Sequence, residues 1–120
     1  MIKMLYVDEC KHAYEMMKRC LVGVADVLYA PNVSEARALL NTTSVDAVLA
    51  EYNLGHHKGD TILRYVAIKH PQTKRFLITN MYPDELPFET DAEFLTGFFE
   101  KPIDVDELIE TLRKLNSNVA

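Results

Sequence analysis

The sequence predicts an α/β fold in which a doubly wound, five-stranded parallel sheet is covered by helices on both faces. Three observations predict it. Short apolar runs of strand length alternate with helix-length amphipathic segments five times along 120 residues. The connections are long enough for helical crossovers, which parallel strands need. Polar groups close the strands: Asp8 and Glu9, then Glu51, then Thr79, with Lys101 just past the fifth run.

The elements follow in order. Ile2–Val7 is an apolar run that suits a strand buried on both faces. His12–Leu21 has helical spacing, with Ala13, Met16, Met17 and Cys20 on one face and Gly23 as the stop. Ala25–Ala30 reads as the second strand. Asn32 and Glu35 form a capping pair for a helix through Leu40. Val45–Ala50 is the third strand. Residues 53–59 contain two glycines and no periodicity, so a loop is expected. Asp60 caps a helix through Lys69, with Ile62, Leu63, Val66 and Ala67 inward and Pro71 after its end. Arg75–Thr79 is the fourth strand and Gly97–Phe99 a short fifth. Between them, residues 83–94 are expected to form a fourth helix, short or distorted because Pro87 and Thr90 oppose it. Asp104, with Glu107 three residues on, opens a last helix through Leu115, its apolar face Leu108, Ile109 and Leu112.

Composition narrows the function. Hydrophobic residues make up 48% and charged residues 26%, enough for a core and near the globular norm. The length fits one domain over 1–120. The net charge of −5 disfavours nucleic-acid contact. That charge is uneven: residues 1–83 carry net +2, residues 84–110 net −9, and residues 111–120 net +2. The acidic stretch is expected to face a protein partner. Cys10 and Cys20 make no disulfide framework, and His56-His57 read as surface residues. No signal peptide or run long enough to span a bilayer is visible, so the expected location is the cytoplasm.

In open parallel sheets, ligands bind beyond the strand C-termini, where the strand order reverses. Asp8, Glu9 and Glu51 would gather there. Two carboxylates about 4 Å apart repel by roughly 1–4 kcal/mol, so such a cluster needs a cation. Mg²⁺ suits an oxygen site of this kind, and the Lys101 ammonium can neutralise part of the charge. Thr79 could hydrogen-bond a phosphoryl oxygen. Carboxylates, cation and hydroxyl are what phosphoryl transfer requires, because its transition state spreads charge over oxygens. No glycine-rich phosphate loop follows the first strand, which argues against a nucleotide or flavin binder.

Taken in order, Leu5-Tyr6-Val7-Asp8-Glu9, Asp46-Ala47-Val48-Leu49-Ala50-Glu51, Leu54 to Gly59, Phe76-Leu77-Ile78-Thr79-Asn80 and Phe99-Glu100-Lys101-Pro102 resemble the receiver domain of two-component response regulators. The resemblance implies a strand order of 2-1-3-4-5 with five helices, and a cis Lys101-Pro102 bond. It also implies roles. Glu51 stands at the phosphoacceptor position, with Thr79 and Lys101 beside it. Asp8, Glu9, Glu51 and the Asn53 carbonyl become the candidate Mg²⁺ ligands. Phe98 takes the aromatic switch position, expected buried because it lacks a hydroxyl, and Asn80 narrows the mouth of the site.

The family phosphorylates an Asp, whereas Glu51 is one methylene longer. Transfer depends on positioning, and a displacement near 1 Å can cost on the order of 100-fold. The resemblance therefore implies a signalling module that works by protein binding, with impaired phosphorylation, weak Mg²⁺ binding and partial mimicry of the phosphorylated state. The alternative is a working phosphoacceptor that takes phosphate from a histidine kinase. Expected partners are a histidine kinase or a downstream effector, met as a monomer or weak homodimer. Asp84, Glu85, Glu89, Asp91 and Glu93 are the candidate partner face.

Overall fold

The computed structural model describes residues 1–119, with side chains through residue 115. Strand β1 (Ile2–Val7) leads to helix α1 (Lys11–Cys20), β2 (Ala25–Ala30), α2 (Val33–Thr42) and β3 (Ala47–Glu51). A small hairpin, β4 (Asn53–Leu54) and β5 (His57–Lys58), precedes α3 (Gly59–Lys69). Then come β6 (Lys74–Thr79), β7 (Gly97–Glu100) and α4 (Val105–Val119). Five parallel strands form one sheet in the order β2-β1-β3-β6-β7, which is the expected 2-1-3-4-5 when the hairpin is set aside.

Alternation along each strand feeds two apolar layers. Leu5 and Val7 of β1, Val48 and Ala50 of β3 and Leu77 of β6 pack with Ile62, Leu63 and Val66 of α3 and with Ala36 and Leu40 of α2. Met4 and Tyr6 of β1, Ala47 and Leu49 of β3 and Phe76 and Ile78 of β6 pack with Met17 of α1 and with Leu108 and Leu112 of α4. The central strands are mostly apolar because both faces are covered, with polar residues such as Glu51 and Thr79 at their ends.

Helix starts follow local chemistry. The Asn32 side chain accepts the Glu35 N–H at 2.8 Å and donates to the Glu35 carboxylate at 2.9 Å, so the expected capping pair forms. Asp104 likewise accepts the Glu107 N–H at 3.1 Å. Gly23, at φ +80°, sits where the chain turns after α1. The Lys101-Pro102 bond is cis, as the resemblance implied.

Three expectations are corrected. Among the described residues there are four α-helices, and the segment between β6 and β7 holds only a 3-10 turn at Pro83–Glu85. Pro87 has no N–H to donate, and its ring would meet the carbonyl four residues back, so the turn cannot grow. Buried Leu86 and Leu95 anchor this segment instead, and Arg75 donates to the Phe94 carbonyl at 2.7 Å. Residues 53–59 are not irregular: Asn53 pairs with Lys58 and Leu54 with His57 across a two-residue Gly55-His56 turn, where Gly55 has φ +69°. Asp60 is not the cap of α3. That place falls to Lys58, and Asp60 sits in the first turn, paired with Arg64 at 3.0 Å. On α1 Ala13, Met16, Met17 and Cys20 share a face as expected and line one cavity with Ile103 and Val105, with only Met17 buried.

Candidate functional site

The strand order reverses between β1 and β3. β1 leads by α1 outward to β2, whereas β3 leads by α3 to β6 on the other side. A crevice must open there at the strand C-termini. Register places Val7 opposite Ala50 and Glu51 opposite Ile78. Asp8 and Glu51 therefore flank the crevice at the same height. Lys101 follows β7, whose last residue Glu100 pairs with Thr79.

The structure brings Asp8, Glu51 and Lys101 together. Asp8 is 5% exposed and Glu51 7%. The Lys101 ammonium donates a short hydrogen bond to Glu51 Oε1 and lies 4.0 Å from Asp8 Oδ2. Each remaining carboxylate oxygen also has a donor. Glu51 Oε2 accepts the Asn53 N–H at 3.1 Å, and Asp8 Oδ1 accepts the Cys10 N–H at 2.9 Å. Asp8 Oδ2 accepts the hydroxyl of Tyr6 at 2.6 Å within the buried layer. Burial first, and then this hydrogen bond and the charge of Asp8, push the Tyr6 phenol far above its ordinary pKa.

Apart from the Asn53 N–H, the other candidates make no hydrogen bond to these carboxylates. Glu9 is exposed, and its carboxylate rests over Gly55, where a Cβ would come within 3.3 Å of Oε1. The Asn53 side chain is exposed and accepts from Lys58 Nζ at 3.0 Å. Thr79 is fully buried, and its oxygen accepts the Met81 N–H at 3.1 Å. By alternation Thr79 follows Leu77, which packs in the layer opposite Ile78. Asn80 is exposed at the strand end. Phe98 is half-buried against the α2–α3 layer, not fully buried as expected, because it lies on the edge strand of the sheet. Asp84, Glu85, Glu89, Asp91 and Glu93 are all exposed.

Two residues of the site escaped the sequence reading. Tyr6 reads as core, although its spacing from Asp8 puts both on one strand face and was the available signal. Gly59 reads as a loop glycine, yet a Cβ there would overlap the Glu51 carbonyl oxygen. Only glycine lets α3 start against the end of β3, and the Gly59 N–H donates to the Tyr52 carbonyl at 2.6 Å.

A model of the response regulator receiver domain matches residues 4–113. The chain belongs to that family. The receiver is 29% identical over 109 residues to the response regulator protein PilR of Pseudomonas aeruginosa, covering 90% of this chain and 24% of that protein. It is 26% identical over 111 residues to the hydrogenase transcriptional regulatory protein HoxA of Bradyrhizobium diazoefficiens, covering 92% of this chain and 23% of that protein. The chain thus spans about a quarter of the length of these curated relatives. The receiver domain of Francisella response regulator 1452 superposes with a TM-score of 0.84 at 20% identity, with both chains fully covered.

Receivers typically hold Mg²⁺ beside their acceptor. The oxygens of Asp8 and Glu51 would suit that ion, each keeping a second lone pair beside its protein donor. All four oxygens of Asp8 and Glu51 already accept from protein donors, and the Lys101 ammonium supplies the local positive charge. Among the described residues no three His, Cys, Asp or Glu side chains gather to hold a metal. No helix of the described residues is long and apolar enough to cross a membrane.

Proposed function

We propose that this chain is a receiver module, one domain over residues 1–120, that transmits a signalling state by binding protein partners, with phosphorylation impaired because Glu51 stands at the acceptor position. The observation that supports it most directly is the state of the Glu51 carboxylate. One oxygen is bonded to Lys101 and the other to the Asn53 N–H, so both are held in place and their nucleophilicity is lowered. A displaced and doubly engaged carboxylate is a poor nucleophile where transfer depends on alignment. The same contacts resemble what a phosphoryl group would offer Lys101, with a charge of about −1 in place of −1.5 to −2. Mimicry of the phosphorylated state is therefore partial. Mg²⁺ is a weak ligand at most, with Asp8, Glu9, Glu51 and the Asn53 carbonyl as its holders.

The proposed partners are a histidine kinase or a downstream effector with a basic face. They would be met in the cytoplasm by a monomer or weak homodimer through Asp84, Glu85, Glu89, Asp91 and Glu93. The reading needs no catalytic turnover and no nucleic-acid contact by this chain. The test is intact-mass analysis after incubation with Mg²⁺ and a small phosphodonor. The expected result is no phosphoryl adduct. An adduct that disappears in Glu51→Gln would overturn the proposal in favour of a working phosphoacceptor.

A further inference from the structure

Two carboxylates share the crevice and one ammonium serves them. Charge attraction alone would hold Lys101 between Asp8 and Glu51. Instead the ammonium donates to Glu51 Oε1 and stands 4.0 Å from Asp8 Oδ2. The asymmetry follows from what else each oxygen has. Among the described residues Glu51 Oε1 has no other donor, since the Asn53 N–H goes to Oε2. Asp8 is already supplied: the Cys10 N–H reaches Oδ1 at 2.9 Å, and the Tyr6 hydroxyl reaches Oδ2 at 2.6 Å. Residues two apart along a strand leave the same face, which lets Tyr6 reach Asp8 while Val7 packs in the opposite layer. The Tyr6 ring is buried in the layer of Met17, Leu108 and Leu112, so its hydroxyl has a fixed place. The Asp8 side chain is nearly out of contact with water, so solvent is no ready substitute for that donor.

We infer that Tyr6 is a positioning residue: by supplying the donor that Asp8 Oδ2 needs, it leaves the Lys101 ammonium to Glu51. Without the hydroxyl, a buried carboxylate oxygen is left with no donor, which is costly. Lys101 can supply one. An ammonium has three N–H donors, this one is 4.0 Å away, and Tyr6 and Lys101 border the same cavity beside Ile78 and Pro102. The ammonium is then drawn toward Asp8, and its hold on Glu51 weakens. The inference concerns which carboxylate the lysine serves, and it leaves the second lone pair of each oxygen open to a cation. On the receiver reading, Tyr6 thereby fixes the contact through which Glu51 resembles a phosphoryl group, and only that consequence rests on the proposed function.

Removing the hydroxyl while keeping the ring isolates the effect. The parent and Tyr6→Phe are compared in metal-free buffer by two double-mutant cycles, Lys101→Met with Glu51→Gln and Lys101→Met with Asp8→Asn. Each is read as the factor by which urea-unfolding constants depart from additivity. With Tyr6 in place, the Lys101–Glu51 factor should exceed the Lys101–Asp8 factor. In Tyr6→Phe the first should fall and the second should rise, each by at least about threefold. A role in packing alone would lower stability in every Tyr6→Phe variant alike and leave both factors unchanged. Unchanged factors, or a stronger coupling to Glu51, overturn the inference. The Lys101 ammonium resonance and the carboxyl carbons of Asp8 and Glu51 give an independent spectroscopic signature. They should show a hydrogen bond to Glu51 alone in the parent and one shared with Asp8 in Tyr6→Phe, and the same pattern in both would count against the inference. If the phenylalanine form fails to fold, the parent decides. Its Tyr6 hydroxyl proton should be protected from exchange and correlated with the Asp8 carboxyl carbon, and a freely exchanging hydroxyl overturns the inference. The mass experiment reads a covalent adduct on Glu51 and this one reads the partner of Lys101, so one can fail without the other.

Discussion

Replacing Lys101 with Met keeps most of the aliphatic side chain and removes the charge. In the folded protein Lys101 bonds Glu51 directly and lies 4.0 Å from Asp8. Its loss leaves two carboxylates, 5% and 7% exposed, facing one crevice with no cation. Removing one partner of a buried ion pair costs about 3–5 kcal/mol. The Lys101 side chain is one-third exposed (33%), so solvent screens part of the interaction, and about 2–3 kcal/mol is the reasonable expectation. For a chain of this size that is a fall of roughly 6–12 °C in Tm. Urea unfolding at neutral pH measures it, provided the slope with denaturant stays constant. Lys101→Met/Glu51→Gln should recover most of the loss, because it removes the uncompensated charge as well. A single variant within about 0.5 kcal/mol of the parent, or a double variant as unstable as the sum of its parts, would refute the electrostatic account of this site.

The raised phenol of Tyr6, helped by smaller rises at Tyr29 and Tyr52, sets an alkaline limit. Each group prefers the neutral form when folded, so its stabilisation is full below the unfolded value of about 10 and declines as pH rises beyond it. Tyr6→Phe should flatten that decline in urea unfolding carried out above about pH 10, and an unchanged slope would count against it. Gly59→Ala should cost about 1–3 kcal/mol and shift the Asn53 amide resonance, because the added Cβ pushes on the Glu51 carbonyl. A stable variant with an unmoved Asn53 signal would show that the approach of α3 does not position Glu51. Changing Asp84, Glu85, Glu89, Asp91 and Glu93 to Lys moves the net charge from −5 by +10 to +5. Those side chains are exposed, so thermal melts should hardly change while calorimetric affinity for a basic partner falls at least about tenfold. Glu51→Asp retracts the carboxyl by about 1.5 Å, so it cannot keep both the Lys101 and Asn53 bonds. Mass analysis with a phosphodonor should then show an adduct absent from the parent, and no adduct would place the defect elsewhere.

The strands were legible because burial on both faces leaves largely apolar runs, and Ile2–Val7 was read to the residue despite Lys3. Asp8, Glu51 and Lys101 were legible because each falls at or just beyond a strand end, which is where an open parallel sheet presents its groups. What a side chain does once there was less legible. Thr79 shares the strand-end position, and its contact with the Met81 N–H could not be read from the sequence. Tyr6 looks like any buried aromatic until its hydroxyl is seen on Asp8. The segment between β6 and β7 was expected to be helical because strand and helix alternate elsewhere. Pro83 and Pro87 overrule that pattern locally, and Leu86 and Leu95 then fix an irregular path by burial. The Gly55-His56 turn was missed because two-residue strands are too short to show a period, although Gly at the first turn position was the available cue.

Internal compensation in the crevice changes what the acidic bias of residues 84–110 means. If the strand-end carboxylates were left open, the dominant negative feature of this receiver would be a cation site. Lys101, Tyr6 and the two backbone donors instead satisfy that site from within, leaving Asp8, Glu51 and Lys101 at net −1. The remaining acids stand outward. Glu85 turns back to the Tyr82 N–H at 2.8 Å, whereas Asp84, Glu89, Asp91 and Glu93 stay exposed on a segment anchored from beneath by Leu86, Leu95 and Phe94. A cluster of like charges on an ordered backbone repels a second copy of itself and attracts a basic surface. An anchored segment also loses less conformational freedom on binding than a free loop would. The proposed partner face therefore lies at the segment between β6 and β7, where four exposed acids stand together, rather than at a crevice whose carboxylates are partly neutralised by Lys101.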